Sequence, residues 1–177
     1  MRKGFKNVLV ILVLLVMLGN ALERLAASTQ WAPYTSRQGG YTVTLPGKPM
    51  ESTRTMEGPS GPVELRYVAT EAVDRSGVYG AAYVDMPSSV LDPHHAACSL
   101  DVMTHAFPGR LLSKRTITFQ GHAGREFSVQ REKGVTTVRL FFVGQRLYEL
   151  MATSPDPAVS PETLATFLGS FRLIPKG

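Results

Sequence analysis

Two dipeptides, Lys133-Gly134 and Gly144-Gln145, constrain the fold of this chain more than anything else in it. They separate three runs rich in Val, Thr, Phe, Leu and Tyr: Arg125 to Glu132, Val135 to Val143, and Arg146 to Thr153. A two-residue link reverses a strand onto its neighbour and leaves no length for a crossover. The three runs therefore form an antiparallel meander. Period-two alternation turns Phe127 and Val129 inward.

The rest of the chain supplies partners for this meander. Arg115 to Phe119 reads as a strand before a turn at Gly121-His122-Ala123-Gly124. Tyr41 to Leu45 alternates and ends at Pro46-Gly47-Lys48-Pro49, a turn composition. Residues 51–62 are polar, with Gly58, Pro59, Gly61 and Pro62, and suggest a loop or short ribbon. Val63 to Thr70 and Gly77 to Val84 are further strands, the second apolar on both faces. Asp92 and Pro93 suit the N-cap and first position of a helix running to Ala106, before Pro108-Gly109. Its apolar arc includes Leu91, Leu100, Met103 and Phe107. Ser154 to Ser160 reads as a loop. Ser160 caps a second helix that begins at Pro161 and points Leu164, Phe167 and Leu168 inward. Ser170 to Ile174 reads as a closing strand. The expected class is α+β: an antiparallel sheet of about six to seven strands flanked by two helices. Residues 38–177 form a single domain, and residues 22–37 a tether from which Trp31 and Tyr34 dock.

The N-terminus has a different composition. Arg2, Lys3 and Lys6 precede an unbroken apolar run from Val8 to Leu18, and Gly19-Asn20-Ala21 follows. A basic head, apolar middle and small-x-small exit make up a secretory signal. A spanning helix needs about 20 apolar residues, and Val8 to Gly19 supplies twelve. Residues 1–21 are thus a signal peptide cut after Ala21, or a retained anchor touching the membrane through residues 8–19. Either reading places the domain outside the cytoplasm: periplasmic, secreted, or tethered to the membrane. Cys98 is the single cysteine. It forms no bridge within the chain, and any disulfide would join two chains.

The formal charge of +5 owes much to that head. Beyond residue 21 the chain has 16 basic and 14 acidic residues. Residues 108–150 hold eight basic against three acidic, which suggests either a face for an anionic partner or a solvated sheet face. Nucleic acid is excluded as a partner by export and by the lack of an aromatic–basic motif.

Some segments look familiar. Tyr34-Thr35-Ser36 leads into Gly40-Tyr41-Thr42-Val43 and Leu45-Pro46-Gly47-Lys48-Pro49. Ala82-Tyr83-Val84-Asp85-Met86-Pro87, Gly121 to Glu126, Arg146 to Leu150 and Phe167-Leu168-Gly169-Ser170-Phe171 follow. The set resembles uncharacterised bacterial secreted or membrane-tethered domains that are similar to the PsbP-like fold, an antiparallel sheet between helices. The resemblance spans about residues 31–175 and implies a binding or assembly protein. Its motifs are turns and core positions, so it transfers no catalytic residue.

Motifs for chemistry are sparse. The sequence contains no Gly-x-Ser-x-Gly, His-Glu-x-x-His, phosphate-loop or dinucleotide pattern. His94, Cys98, Asp101 and His105 share an arc of roughly 60° on the first helix and are metal-ligand types. His94 and His105 would lie about 16 Å apart along the axis, so one ion cannot bind all four. An amphipathic helix with boundary histidines accounts for them as well. His122 reads as an exposed turn residue, and Ser60 as a loop serine without a base. The expected function is a non-enzymatic extracytoplasmic binding or assembly domain for an envelope protein or cell-surface component, with no cofactor. The alternative is a metal-assisted or hydrolytic enzyme using the first-helix groups or His122. The mature exported chain is expected to have an intact mass that starts at Leu22. A mass starting at Met1 would refute cleavage.

Overall fold

The structure is a computed structural model that describes residues 31–58, 61–72, 77–86, 93–132, 134–155 and 161–175. The signal or anchor reading of residues 1–21 lies outside the described residues, as do Ser60, Asp92 and Ser160. The elements run β1 (Trp31–Ser36), β2 (Tyr41–Pro46), β3 (Met50–Gly58), β4 (Gly61–Glu71), β5 (Val78–Asp85) and α1 (Pro93–Ala106). They continue as β6 (Arg110–Phe119), β7 (His122–Arg131), β8 (Gly134–Val143), β9 (Arg146–Ser154), α2 (Pro161–Ser170) and β10 (Arg172–Leu173).

The meander forms as expected. Arg131 pairs with Gly134 and Val143 with Arg146 across the two short links. It extends outward through β6, and β9 returns beside β5 to join a second meander, β3-β4-β5. The outcome is a seven-stranded sheet in the order β3-β4-β5-β9-β8-β7-β6, antiparallel at every pairing. The connection from β5 to β6 passes through α1 to the far edge of this sheet.

Both faces of the sheet are apolar, and each has its own cover. Leu100, Met103 and Phe107 of the α1 region pack on Phe127, Val138, Leu140, Phe142, Leu147 and Met151. On the other face Tyr79, Ala81, Tyr83, Phe141, Tyr148 and Leu150 meet Tyr41, Val43 and Leu45 of β2 and Phe167 and Leu168 of α2. Phe141 and Phe142 are adjacent and enter opposite cores, as strand periodicity requires. The class is α+β, as expected, with one helix on each face.

The structure corrects four expectations. First, the tether reading fails at Trp31–Ser36, which forms β1 along the whole of β2. Trp31 packs edge-on against Tyr79, with centroids 5.2 Å apart, and this aromatic burial holds the segment to the domain. Pro33 is tolerated because β1 is an edge strand. With β2 and β10, β1 builds a separate three-stranded sheet that sequence reading did not anticipate. Second, the 51–62 segment is strand on both sides of its bend: Glu51 pairs with Val68 and Glu57 with Pro62. Third, β6 starts at Arg110 rather than Arg115. Arg-Leu-Leu-Ser-Lys does not alternate because it is an exposed edge with an irregularity between Leu111 and Ser113. Fourth, the turn between β6 and β7 is Gln120-Gly121, both at positive φ (47° and 85°), so His122 belongs to β7. The closing strand is reduced to Arg172–Leu173.

Gly134 shows how tightly the meander is specified. Its φ is 123°, and a Cβ there would run into the carbonyl oxygen of Ser154. Gly144, at φ 58°, has open space around the same position. Gly134→Ala is expected to lower the unfolding free energy by about 2–4 kcal/mol. Gly144→Asn is expected to cost less than about 1 kcal/mol, because asparagine accepts the left-handed region. Urea titrations of the two variants check the contrast.

Candidate functional site

Of the groups singled out on the first helix, the side chains of Asp101 and His105 are described. The side chains of His94 and Cys98 lie outside the described residues. His105 is exposed. Asp101 is fully engaged: Arg125 donates to both of its carboxylate oxygens, at 3.0 and 3.1 Å, and Lys114 donates at 3.3 Å. The Arg125 hydrogen bond, with help from Lys114, holds this carboxyl down at about 2. Asp101 therefore pins α1 to β6 and β7. Among the described residues no three His, Cys, Asp or Glu side chains come together as a metal site. His122 is half-buried at the start of β7, opposite Phe119.

Five of the eight basic residues between 108 and 150 are paired with carboxylates of the chain. Lys114 and Arg125 take Asp101, Arg115 and Arg139 take Glu126, and Arg146 takes Asp85. Burial alone would raise the Glu126 carboxyl, but its two arginines outweigh burial and lower it. Arg139 also donates to the carbonyl of Leu168 at 3.0 Å, tying down the end of α2.

A cleft of about 660 Å³ opens where the two sheets diverge. One wall is β1 and its turn, with Tyr34, Thr35, Ser36, Arg37 and Gln38. The other is the β3–β4 ribbon, with Glu51, Ser52, Thr53, Arg66 and Tyr67, and Tyr41 and Tyr83 complete the lining. The turn wall is held rigidly. Gly39 N–H donates to Ser36 Oγ at 3.0 Å. Arg146 donates to the carbonyls of Gln38 and Gly39 at 2.9 and 3.0 Å, and Tyr148 Oη donates to Gly39 at 2.6 Å. Arg146 is aimed by a two-pronged pair with Asp85 at 2.6 and 2.7 Å, and its guanidinium lies 4.5 Å from the centre of the Tyr83 ring. Exposed ion pairs contribute less than about 1 kcal/mol. The value of this one is positional, since it aims three further contacts. Burial, and then the neighbouring Glu51, push the Tyr34 phenol up to about 12, so it stays a neutral donor.

Both strands flanking the cleft are sheet edges. β1 ends the three-stranded sheet and β3 ends the seven-stranded one. Each leaves its outer row of backbone donors and acceptors without a strand neighbour among the described residues. Sequence reading missed this site because it assigned the first wall to the tether and part of the second to a loop.

It also missed Glu149. Alternation from Leu147 and Met151 puts this residue inward, and that signal was present in the sequence. Glu149 is 2 % exposed, and neither carboxylate oxygen has a hydrogen-bond partner among the described residues. Its cross-strand neighbours are Ala82 and Leu140. Burial alone raises its carboxyl from 4.5 to about 8, so the folded chain binds a proton there at neutral pH.

No family model and no curated protein matches the chain. Solved structures do. The cyanobacterial PsbP protein (CyanoP) of Synechocystis sp. PCC 6803 superposes with a TM-score of 0.50 at 11% identity, over 86% of this chain and 98% of that one. A protein from Bacteroides thetaiotaomicron VPI-5482 gives 0.47 at 13% identity; the match covers 82% of this chain but 49% of that one, about half its length. At such identities the likeness to PsbP shows fold alone, and the fold is PsbP-like.

Glu149 gives a prediction with a definite sign. Its folded-state value lies above the unfolded one, so the folded state holds the extra proton and stability falls as pH rises from about 4.5 to 8. Glu149→Gln removes that loss. It is expected to match the parent below pH 4 and to exceed it by on the order of 3 kcal/mol at pH 7. Denaturant midpoints across pH 4–9 check this, and a pH-independent difference would refute it.

Proposed function

We propose that this chain is an extracytoplasmic binding module without a reaction centre, and that its inter-sheet cleft takes an extended segment of an envelope protein. The observation that carries the reading is a tyrosine-lined cleft flanked by two strand edges that have no strand neighbour among the described residues. An extended segment can use the free backbone groups of β3 or β1 as an added strand, which gives affinity independent of sequence. Tyr34, Tyr67 and Tyr83 offer rigid amphipathic surface with little side-chain entropy to lose, and Ser36, Ser52 and Thr53 offer adaptable hydrogen bonds. The lining holds Arg37 and Arg66 beside Glu51, and Arg66 also pairs with Glu64, so its charge is close to balanced and the segment's backbone and apolar groups dominate recognition. The rigid turn wall supports binding as well, since a wall already in place costs little order when the segment arrives.

The N-terminal basic head and apolar run support a place at or beyond the membrane for this module. No helix among the described residues is long and apolar enough to span a bilayer. Export of the domain therefore rests on residues 1–21.

A photo-reactive side chain placed at Ser52 in the full-length chain, in cells, is expected to capture a defined envelope protein. Arg66→Glu combined with Tyr67→Ala is expected to reduce that capture at least tenfold. The same probe at Ser113, on the opposite edge of the sheet, is the control. Equal capture at both edges, or capture indifferent to the double substitution, would refute the cleft as the binding site.

A further inference from the structure

The cleft uses one face of the seven-stranded sheet and leaves the isolated carboxyl on the other unexplained. Beside Glu149 the sheet has a hollow floored by small residues, Gly80 and Ala82, with Met151 alongside. The hollow offers about 20 Å³, room for one water-sized group. The hollow reaches the surface between Tyr67, Ala69 and Val78, all half-buried. We infer that Glu149 and this hollow form a second binding site, which shares only Tyr67 with the cleft, for the head group of a primary alkylammonium ligand.

The chemistry follows from what the site lacks. A buried carboxyl without a partner is costly, and native structures keep few such groups. Among the described residues nothing supplies a donor to Glu149. Ala82 on β5 and Leu140 on β8 are apolar. On the same face Asp101 of α1 and Arg125 of β7 satisfy each other, and His105 of α1 is exposed. On β4 the titratable neighbour is Tyr67. Other lining groups are apolar side chains, or backbone already used in the strand ladders. A primary ammonium matches each deficit. It is the size of a water, it brings three donors, and it carries the one charge that lets the carboxyl ionise in place. An alkyl tail then lies along the apolar exit past Ala69 and Val78. An alkanol fits the space but brings no charge, and an alkyl carboxylate would oppose Glu149.

The proton balance is explicit. The empty site holds a neutral Glu149, and burial favours that form. The ammonium enters with its proton, and Glu149 releases one to solvent, so the bound state is an ion pair and one proton leaves per ligand. Binding therefore strengthens about tenfold per pH unit up to the value near 8 and then levels off.

Thermal unfolding of the full chain with n-hexylammonium chloride or n-hexanol at equal concentration tests the assignment. The amine is expected to raise Tm, more at pH 8 than at pH 6.5, and the alkanol is expected not to. Calorimetry in two buffers of different ionisation enthalpy should report one proton released per amine. Glu149→Gln keeps the shape of the site and should abolish the amine shift. Ala82→Val narrows the hollow and should weaken the amine at least tenfold while leaving Glu149 in place. An equal response to amine and alkanol, no proton release by the parent chain, or an amine shift that persists in Glu149→Gln would each overturn the proposal and leave the hollow as a seat for one water. Glu149 and Ala82 line the hollow and not the cleft, so their substitutions test this proposal without touching the other.

Discussion

The central strands of the large sheet are apolar on both faces, and the rest of the molecule is arranged around that constraint. Tyr79 to Val84 of β5 and Leu147 to Ala152 of β9 are buried without interruption. A sheet of this kind exposes one apolar face to water unless it is covered twice, and burial returns about 25 cal/mol per Å² of apolar surface. Helix α1 covers one face. The second face is too wide for α2 alone, and β1, β2 and β10 complete the cover as a small sheet of their own. Tyr41 is the hub of that second core. It stacks on Phe171 at 5.1 Å and meets Tyr148 and Tyr83 edge-on at 6.0 and 6.3 Å. Aromatic pairs of this geometry add about 0.5–1.5 kcal/mol each beyond the area they bury.

The cleft is a consequence of the same arrangement. The small sheet is three strands wide and the large one is seven, so the cover ends before β3 and β4 do. The uncovered corner is polar and tyrosine-rich because its side chains meet water on one side and core on the other. The Asp85–Arg146 pair sits at that boundary and serves both regions: it fixes the Ser36–Gly40 turn on one side and lies against Tyr83 on the other. The opposite edge, β6, is treated differently. Arg110, Lys114 and Arg115 and an irregular register guard it, a common protection against unwanted strand pairing.

Glu149 stands against this economy. At 2 % exposure, in a strand whose neighbours are apolar, a leucine or methionine would be the stable choice. A group that lowers stability over the neutral range and faces a water-sized hollow is more readily understood as part of a site than as part of the core.

Much of the architecture was legible in the chain itself. Alternation at Tyr41–Leu45 and Val63–Thr70, the glycine links at 134 and 144, and Pro93 and Pro161 at helix starts are local signals, and each identified its element. Alternation also placed Phe127 and Val129 inward. It failed at Trp31–Ser36, where Ala32 and Pro33 break the pattern and the strand exists because β2 lies beside it. It failed at Arg110–Lys114, where both faces meet water and no pattern is required. Helical spacing is local and grouped Asp101 with its α1 neighbours, whereas folding paired it with Arg125, 24 residues away. Arg146 found Asp85, 61 residues away. The sequence by itself determined periods, turns and the antiparallel order of the meander, since these depend on residues within one or two turns of each other. Tertiary structure alone decided which face each strand had covered, which charges were neutralised, where the cover stopped to leave a cleft, and that Glu149 has no hydrogen-bond partner among the described residues. Those outcomes depend on neighbours that folding brings together from tens of residues away.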